Sequence, residues 1–332
     1  MTFGIDIGTT SVSGVAVNDA DTVVATVTIA HAADIPDLPP GVHAQDPARL
    51  MSAVDRVIEE LEAKTGAADR IGWTGQMHGV VGVDRGLVPT TPFVTWRDAR
   101  RFGGRVMAEW ASEGRNIDTC LPICGLAVAR RTGRRVIDPT FLHSWHLEEV
   151  AENIPSNWLP DVDESSMLGD NQAGVYAAQH LYPGCAVINL GTSGQLSVVE
   201  DVPFRPWCEN ALERRPYPGG KTLLCSISLV GGKAFADLRD ELHLGWDEMN
   251  VRAETDARIA GCINRIIDDL VGGISMTGIS SLVGVGNALT RNPAIRRAAE
   301  RRFGVPCVIP PIAEMAAYGA AIHANSFRIT IV

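Results

Sequence analysis

The chain has 332 residues, 45% hydrophobic and 20% charged, which excludes wholesale disorder and, at roughly 150 residues per domain, favours two domains. Its net charge of −10 argues against nucleic acid or an anionic membrane surface as a partner. No apolar run reaches the roughly 18 residues of a membrane span. No basic-then-apolar leader opens the sequence, and the seven scattered cysteines read as reduced thiols, so a cytoplasmic location is expected.

The first predicted element is a β-hairpin over residues 3–17, in which apolar alternation surrounds the small-residue turn Gly8-Thr9-Thr10. Pro36–Gly41 reads as a surface loop. Asp46-Pro47 opens a helix whose apolar face is Leu50, Val54, Val57, Ile58 and Leu61. Arg70–Gly75 reads as a strand ending in a glycine loop, and Asp170 opens a further helix. Residues 186–199 then repeat the first hairpin. Aligning Ile5 with Ile188 pairs Asp6 with Asn189, Gly8 with Gly191, Thr9 with Thr192 and Thr10 with Ser193, at one offset of 183 without a gap. Val202–Gly220 reads as a surface loop. Ile259, Ile263, Ile266, Ile267 and Leu270, with Cys262, form a helical face closed by Gly272-Gly273. Ser281–Gly286 is a strand entering a glycine loop, and Asn292-Pro293 caps a helix that ends at Gly304. Strands alternating with helices predict α/β layers.

The repeated turn has a chemical reading. Glycine lets backbone N–H groups approach a ligand, and the adjacent hydroxyls add donors. Two such turns suit a polyphosphate, and Asp6 on the strand before the first supplies a carboxylate suited to Mg²⁺, directly or through water.

The motifs together resemble the FGGY carbohydrate kinases of the actin-like ATPase superfamily, sedoheptulokinase and xylulokinase members above all. The stretches that carry the resemblance are Gly4–Val12, Gly75–Val81 (Gly-Gln-Met-His-Gly-Val-Val), Thr95–Arg100 (Thr-Trp-Arg-Asp-Ala-Arg), Leu168–Ala173, Asn189–Ser193 and Gly284–Asn292. The implied fold is two actin-like ATPase (ribonuclease H-like) domains, each a mixed sheet flanked by helices, with a cleft between them. The expected boundaries are 1–182 for the sugar domain and 183–332 for the nucleotide domain. The resemblance implies an ATP- and Mg²⁺-dependent kinase acting on a terminal hydroxyl of a small-molecule ketose. Asp170 looks like the catalytic base. Gln76, Met77 and His78 look like the sugar loop, with Trp96 and Asp98 as a second sugar contact. Gly8, Thr9, Thr10 and Ser11 would hold the β- and γ-phosphates, as would Gly191, Thr192 and Ser193 from the second domain. Gly231-Gly232-Lys233 resembles a paired-glycine turn near the nucleotide, and Gly284, Gly286 and Asn287 look like the adenosine loop. The small residues of Pro310–Ala321 are read as structural, for close helix packing.

Three departures accompany the resemblance. Ser13 stands where family members usually carry Lys or Arg, a cation that would neutralise the transferring phosphoryl group; Arg97 and Lys233 are the candidates to compensate. The chain is shorter than is usual in the family, around Leu126–Asp138 and Leu244–Thr255. Val285 adds bulk in the adenosine loop. The alternative reading is therefore a degenerate member that binds sugar or nucleotide without efficient catalysis. The shortening also raises the expectation of a homodimer, because lost insertions expose apolar surface.

Overall fold

A computed structural model describes residues 1–165, 167–209 and 212–327. The chain divides into two units. The first is Met1–Ala177 together with the chain from Glu314 onward, and the second is Ala178–Ala313.

In the first unit, β1 (Thr2–Ile7) and β2 (Ser11–Val17) form the expected hairpin, and β3 (Val23–Ala30) continues it antiparallel. After β4 (Ala44–Gln45) comes α1 (Pro47–Thr65), started by the Asp46 carboxylate, which accepts the Ala48 N–H at 2.8 Å, and by Pro47 in the first turn. It buries all five residues of the predicted apolar face. β5 (Arg70–Gly75) returns parallel to β1. A smaller layer follows: β6 (Val81–Val83), β7 (Phe93–Val94), α2 (Gly103–Ser112), β8 (Thr119–Leu121), α3 (Ile123–Thr132), β9 (Val136–Ile137), α4 (Pro139–Ser144) and β10 (Asp161–Val162). β11 (Met167–Gly169) then adds parallel to β5, and α5 (Asp170–Leu181) leaves it directly. The sheet order is β11-β5-β1-β2-β3.

In the second unit the strands are β12 (Cys185–Leu190), β13 (Gly194–Glu200), β14 (Trp207–Glu209), β15 (Leu212–Tyr217), β16 (Lys221–Ser228), β17 (Ser281–Val285) and β18 (Cys307–Val308). The helices are α6 (Gly232–Leu242), α7 (Trp246–Arg252), α8 (Ala257–Val271), α9 (Asn287–Arg291) and α10 (Pro293–Phe303). The sheet order is β14-β15-β16-β13-β12-β17-β18. The run β16-β13-β12-β17-β18 repeats β3-β2-β1-β5-β11 in order and direction: two antiparallel pairs, then two parallel ones. The sequence echo is thus also an echo of topology. Each unit has its own apolar core, one around Phe3, Ile5, Leu50 and Phe93, the other around Ile188, Phe235, Ile263 and Leu282.

Two expectations change. Val202–Gly220 is not simply a loop, because β14 and β15 extend the second sheet as a hairpin against β16. Four prolines in that stretch hide the strand signal. Pro216 lies beyond Leu212, Glu213 and Arg214, the β15 residues paired with β14 among the described residues, toward the sheet edge where a proline is tolerated. The boundary falls after Ala177 rather than after Tyr182, and the chain from Glu314 rejoins the first unit.

The reason for that return is steric. The C-terminal helix Met315–Ser326 lies against β1 and β5 where Gly4 and Gly72 stand opposite each other. A Cβ on Gly4 would strike the Ala317 carbonyl, one on Gly72 the Ala320 carbonyl, and one on Gly319 the Ala173 carbonyl. Only small residues allow backbones this close, as read for Pro310–Ala321. Among the described residues, no helix is long and apolar enough to cross a membrane. Gly4→Ala should therefore destabilise the protein by about 1–3 kcal/mol through overpacking, read as a lower urea midpoint, with Gly261→Ala, at an open helical position, as the comparison.

Candidate active site

The first unit gathers its candidate residues at one end of its sheet. β1, β5 and β11 run parallel, with Asp6 level with Thr74 and Thr74 level with Leu168. Their carboxyl ends lead directly into the Gly8–Ser11 turn, the Gln76–His78 loop and Asp170. Ligands of parallel sheets sit at such strand ends.

The turn itself is braced from behind. The Gly8 N–H donates to the Ser11 carbonyl at 3.0 Å. Gln45 Nε2 donates to the Thr9 carbonyl at 2.7 Å, and Gln76 Nε2 donates to Gln45 Oε1 at 2.9 Å and to the Gly8 carbonyl at 3.3 Å. His31 Nδ1 accepts the Ala33 N–H, so its Nε2 carries the proton and donates to the Gly8 carbonyl at 3.3 Å. Burial lowers the His31 pKa, though the bond to Gly8 opposes this, so the ring stays neutral in this bracing role. The turn's carbonyls are thereby occupied, and among the described residues nothing accepts from the amides of Thr9 and Thr10.

The centre of the site is acidic. Burial, then the charges of Asp170 and Glu314, push the Asp6 carboxyl up to about 7. Its Oδ1 is buried without a hydrogen-bond partner among the described residues, as are Thr74 Oγ1 and Gln76 Oε1. Asp170 is exposed at the first position of α5, where the helix dipole favours negative charge, and its Oδ1 accepts the Asn171 N–H at 2.6 Å. Ser13, level with Asp6 on β2, is buried and hydrogen-bonded to Thr28 Oγ1 at 3.0 Å, and Thr28 reaches Glu314 at 3.4 Å.

Residues 77–79 are held from a segment the sequence did not flag. His78 sits at φ +66°; its N–H donates to Ser144 Oγ and its Nδ1–H to the Ser144 carbonyl at 2.9 Å, which leaves Nε2 as the acceptor nitrogen. Trp145 Nε1 donates to the Gly79 carbonyl at 3.0 Å. Met77 is buried, and a Cβ on Gly169 would meet its Sδ at 2.7 Å.

Trp96 and Asp98 part company. The Trp96 indole, 47% exposed, donates Nε1–H to Thr9 Oγ1 at 3.0 Å, which places it at the Gly8–Ser11 turn. Asp98, 3% exposed, is committed to Arg100 in a two-pronged pair at 2.7 and 2.8 Å and accepts the His43 N–H. Burial raises its pKa, but the bonds from Arg100 and His43 outweigh this and hold it below the usual carboxylate range.

The second unit assembles its candidates separately. The Gly191 N–H donates to the Ser193 carbonyl at 3.0 Å, and the Gly232 N–H donates to the Gly191 carbonyl at 2.7 Å. A Cβ on Gly231 would strike the Ser193 backbone, and one on Gly232 would meet the Gly191 carbonyl and Ala288 at 2.6 Å. Gly286, at φ +85°, packs on the Leu190 carbonyl, and Asn287 starts α9, exposed. The turn Gly191-Thr192-Ser193, the Gly231-Gly232 pair and the Gly284–Asn287 loop therefore meet at one place. Lys233 pairs with Asp237 at 2.6 Å.

Sequence reading missed Gln45, His31, Ser144, Trp145 and Glu314. Gln45 stands just before a recognisable helix cap, and Glu314 just before the small-residue helix, but neither position carries a motif.

With this geometry in place, the comparisons are informative. Residues 1–129 match the N-terminal domain of the FGGY family of carbohydrate kinases. The match covers the first 129 of the 332 residues. Over 101 residues, 29% of this chain, it is 33% identical to the xylulose kinase of Staphylococcus epidermidis, and it spans 20% of the length of that curated relative. Its fold is similar to a xyloylose kinase from Brucella ovis (20% identity, 98% of this chain and 90% of that one, TM-score 0.84). It is also similar to the glycerol kinase of Plasmodium falciparum, solved with ADP (15% identity, 98% and 89%, TM-score 0.79). These likenesses give the actin-like ATPase fold.

Two outcomes follow from the electrostatics. Folded Asp6, with a pKa near 7 against 3.8 ordinarily, binds a proton that the unfolded chain releases. Stability should be full below the unfolded pKa and fall as pH rises through the folded one. Asp6→Asn should remove this decline and gain on the order of 2 kcal/mol relative to wild type between about pH 5 and pH 8, measured by urea unfolding. Asp98→Ala should cost on the order of 2 kcal/mol by removing the two-pronged bond to Arg100, which keeps only Glu109, and the acceptor of the His43 N–H, lowering the urea midpoint before any effect on ligand binding is considered.

Proposed function

We propose that the protein is an ATP-dependent carbohydrate kinase of the cytoplasm, phosphorylating a terminal hydroxyl of a sedoheptulose- or xylulose-like ketose. The observation that carries the proposal is the convergence of Asp6, the Gly8–Ser11 turn, the Gln76–His78 loop and Asp170 at the ends of three parallel strands. A hydroxyl placed beside Asp170 gives up its proton to the carboxylate as its oxygen bonds the γ-phosphorus of ATP and the bond from that phosphorus to the departing ADP oxygen breaks. His78 Nε2 accepts a second sugar hydroxyl, and the amides of Thr9 and Thr10 face phosphoryl oxygens. In the second unit, the joined glycine segments would take the nucleotide. The family resemblance and the ADP in the glycerol kinase of the same fold support ATP as the donor.

The residues present suit Mg²⁺. The buried, unpartnered Asp6 Oδ1 beside two further carboxylates favours a cation. Among the described residues, no cluster of three or more His, Cys, Asp or Glu is arranged to hold a metal alone. That suits an ion that keeps its waters and arrives on nucleotide phosphates, with Asp6 as its protein partner. When bound, it would neutralise charge on the phosphates.

A second reading has its own observation. Ser13 is buried and tied to Thr28, so β2 brings no cation to the turn. A protein that binds sugar or nucleotide without efficient transfer would show this.

An ADP-release screen over ketopentoses and ketoheptoses separates the two. Turnover with one of these sugars is expected. Asp170→Asn should lose about 100-fold or more of kcat while retaining nucleotide binding. Full turnover in that variant removes Asp170 from the base role. Thermal stabilisation by ATP or a sugar, with no ADP released by the wild type, selects the second reading.

A further inference from the structure

The phosphate turn of the first unit lies in acidic surroundings, yet a transferring phosphoryl group carries negative charge that needs positive neighbours. The carboxylates of Asp170 and Glu314 both bear on Asp6 there. Ser13 cannot supply charge, and Lys233, in the second unit, pairs with Asp237. Arg97 differs. It is exposed, and among the described residues its guanidinium makes no ion pair or hydrogen bond. It lies over the Trp96 ring, 5.5 Å from the centroid. The same indole donates Nε1–H to Thr9 Oγ1 at 3.0 Å. One side chain thus links the guanidinium to the turn.

We propose that Trp96 and Arg97 form a phosphate clamp on the Gly8–Ser11 turn, with Arg97 as its cation and Trp96 as the residue that positions it. The proposal rests on the kinase reading and moves Trp96 from the sugar side, where its motif puts it, to the phosphate side. Thr9 Oγ1 accepts from the indole, so its own hydrogen is directed to another acceptor, and an anionic phosphoryl oxygen is a strong one. The aromatic face holds the guanidinium by cation–π attraction without using its N–H donors. Those donors remain available to fork two phosphoryl oxygens. Arg100, three residues on, is unsuited to the task because Asp98 and Glu109 already engage it.

The test uses the full chain and inorganic tripolyphosphate as probe, followed by tryptophan fluorescence, with Trp96→Phe identifying the part of the signal that belongs to Trp96. Wild type should bind the probe with a change in that signal. Arg97→Gln should weaken binding roughly 10-fold or more, with Arg97→Lys in between. In steady-state assays, Arg97→Gln should lower kcat about 100-fold and leave the sugar KM unchanged. Equal tripolyphosphate affinity in wild type and Arg97→Gln overturns the clamp. So does no binding by wild type, or a rise in sugar KM at constant kcat. If wild type turns over no sugar, the kinase reading fails while the tripolyphosphate titration still decides the clamp.

Discussion

The parallel register of β1, β5 and β11 is the constraint on which the rest depends. Because Asp6, Thr74 and Leu168 stand level, the turn after β1, the loop after β5 and the helix after β11 open at the same edge of the sheet. A slip of one residue between any two strands would turn their side chains to opposite faces. Asp6 would then enter the core and a neighbouring isoleucine would replace it at the site. The glycines Gly4 and Gly72, also level, fix the register from the other end by admitting the C-terminal helix to one face only.

The edge so assembled joins donors and carboxylates in an unusual balance. The carbonyls of the Gly8–Ser11 turn are engaged by His31, Gln45 and Gln76, so the turn offers amides and hydroxyls. Against these donors stand Asp6, Asp170 and Glu314, close enough to raise the first of them. Such a centre is uncomfortable alone, and a cation beside it would relieve the repulsion. Stability is sacrificed at Asp6, and the adjoining core of Phe3, Ile5 and Leu50 compensates.

Much of this was legible in the sequence. The hairpin echo at Ile5 and Ile188 foretold two sheets of one topology, because alternation and turn chemistry are local signals. The face of α1 and that of α8 were legible for the same reason. The Val202–Gly220 hairpin was not, since prolines mask strands whose partners supply the pairing. Asp98 reads as a sugar contact by motif, yet it is bound by Arg100, two residues away. Gln45 and Ser144 carry no pattern at all: their roles come from tertiary approach, which leaves no periodic trace. Trp96 was singled out, but the direction of its N–H is set by a residue 87 positions earlier.

The C-terminal helix has one more consequence, concerning the order of synthesis. The strands it covers are made early, but residues 315–326 leave the ribosome only after all of Ala178–Ala313. The face bearing Gly4 and Gly72 must therefore wait uncovered, while the inserted unit already holds every strand of its own sheet. A nascent chain of this protein has reason to complete Ala178–Ala313 before the unit that precedes it, and to need shelter for that bare face until residues 315–326 emerge.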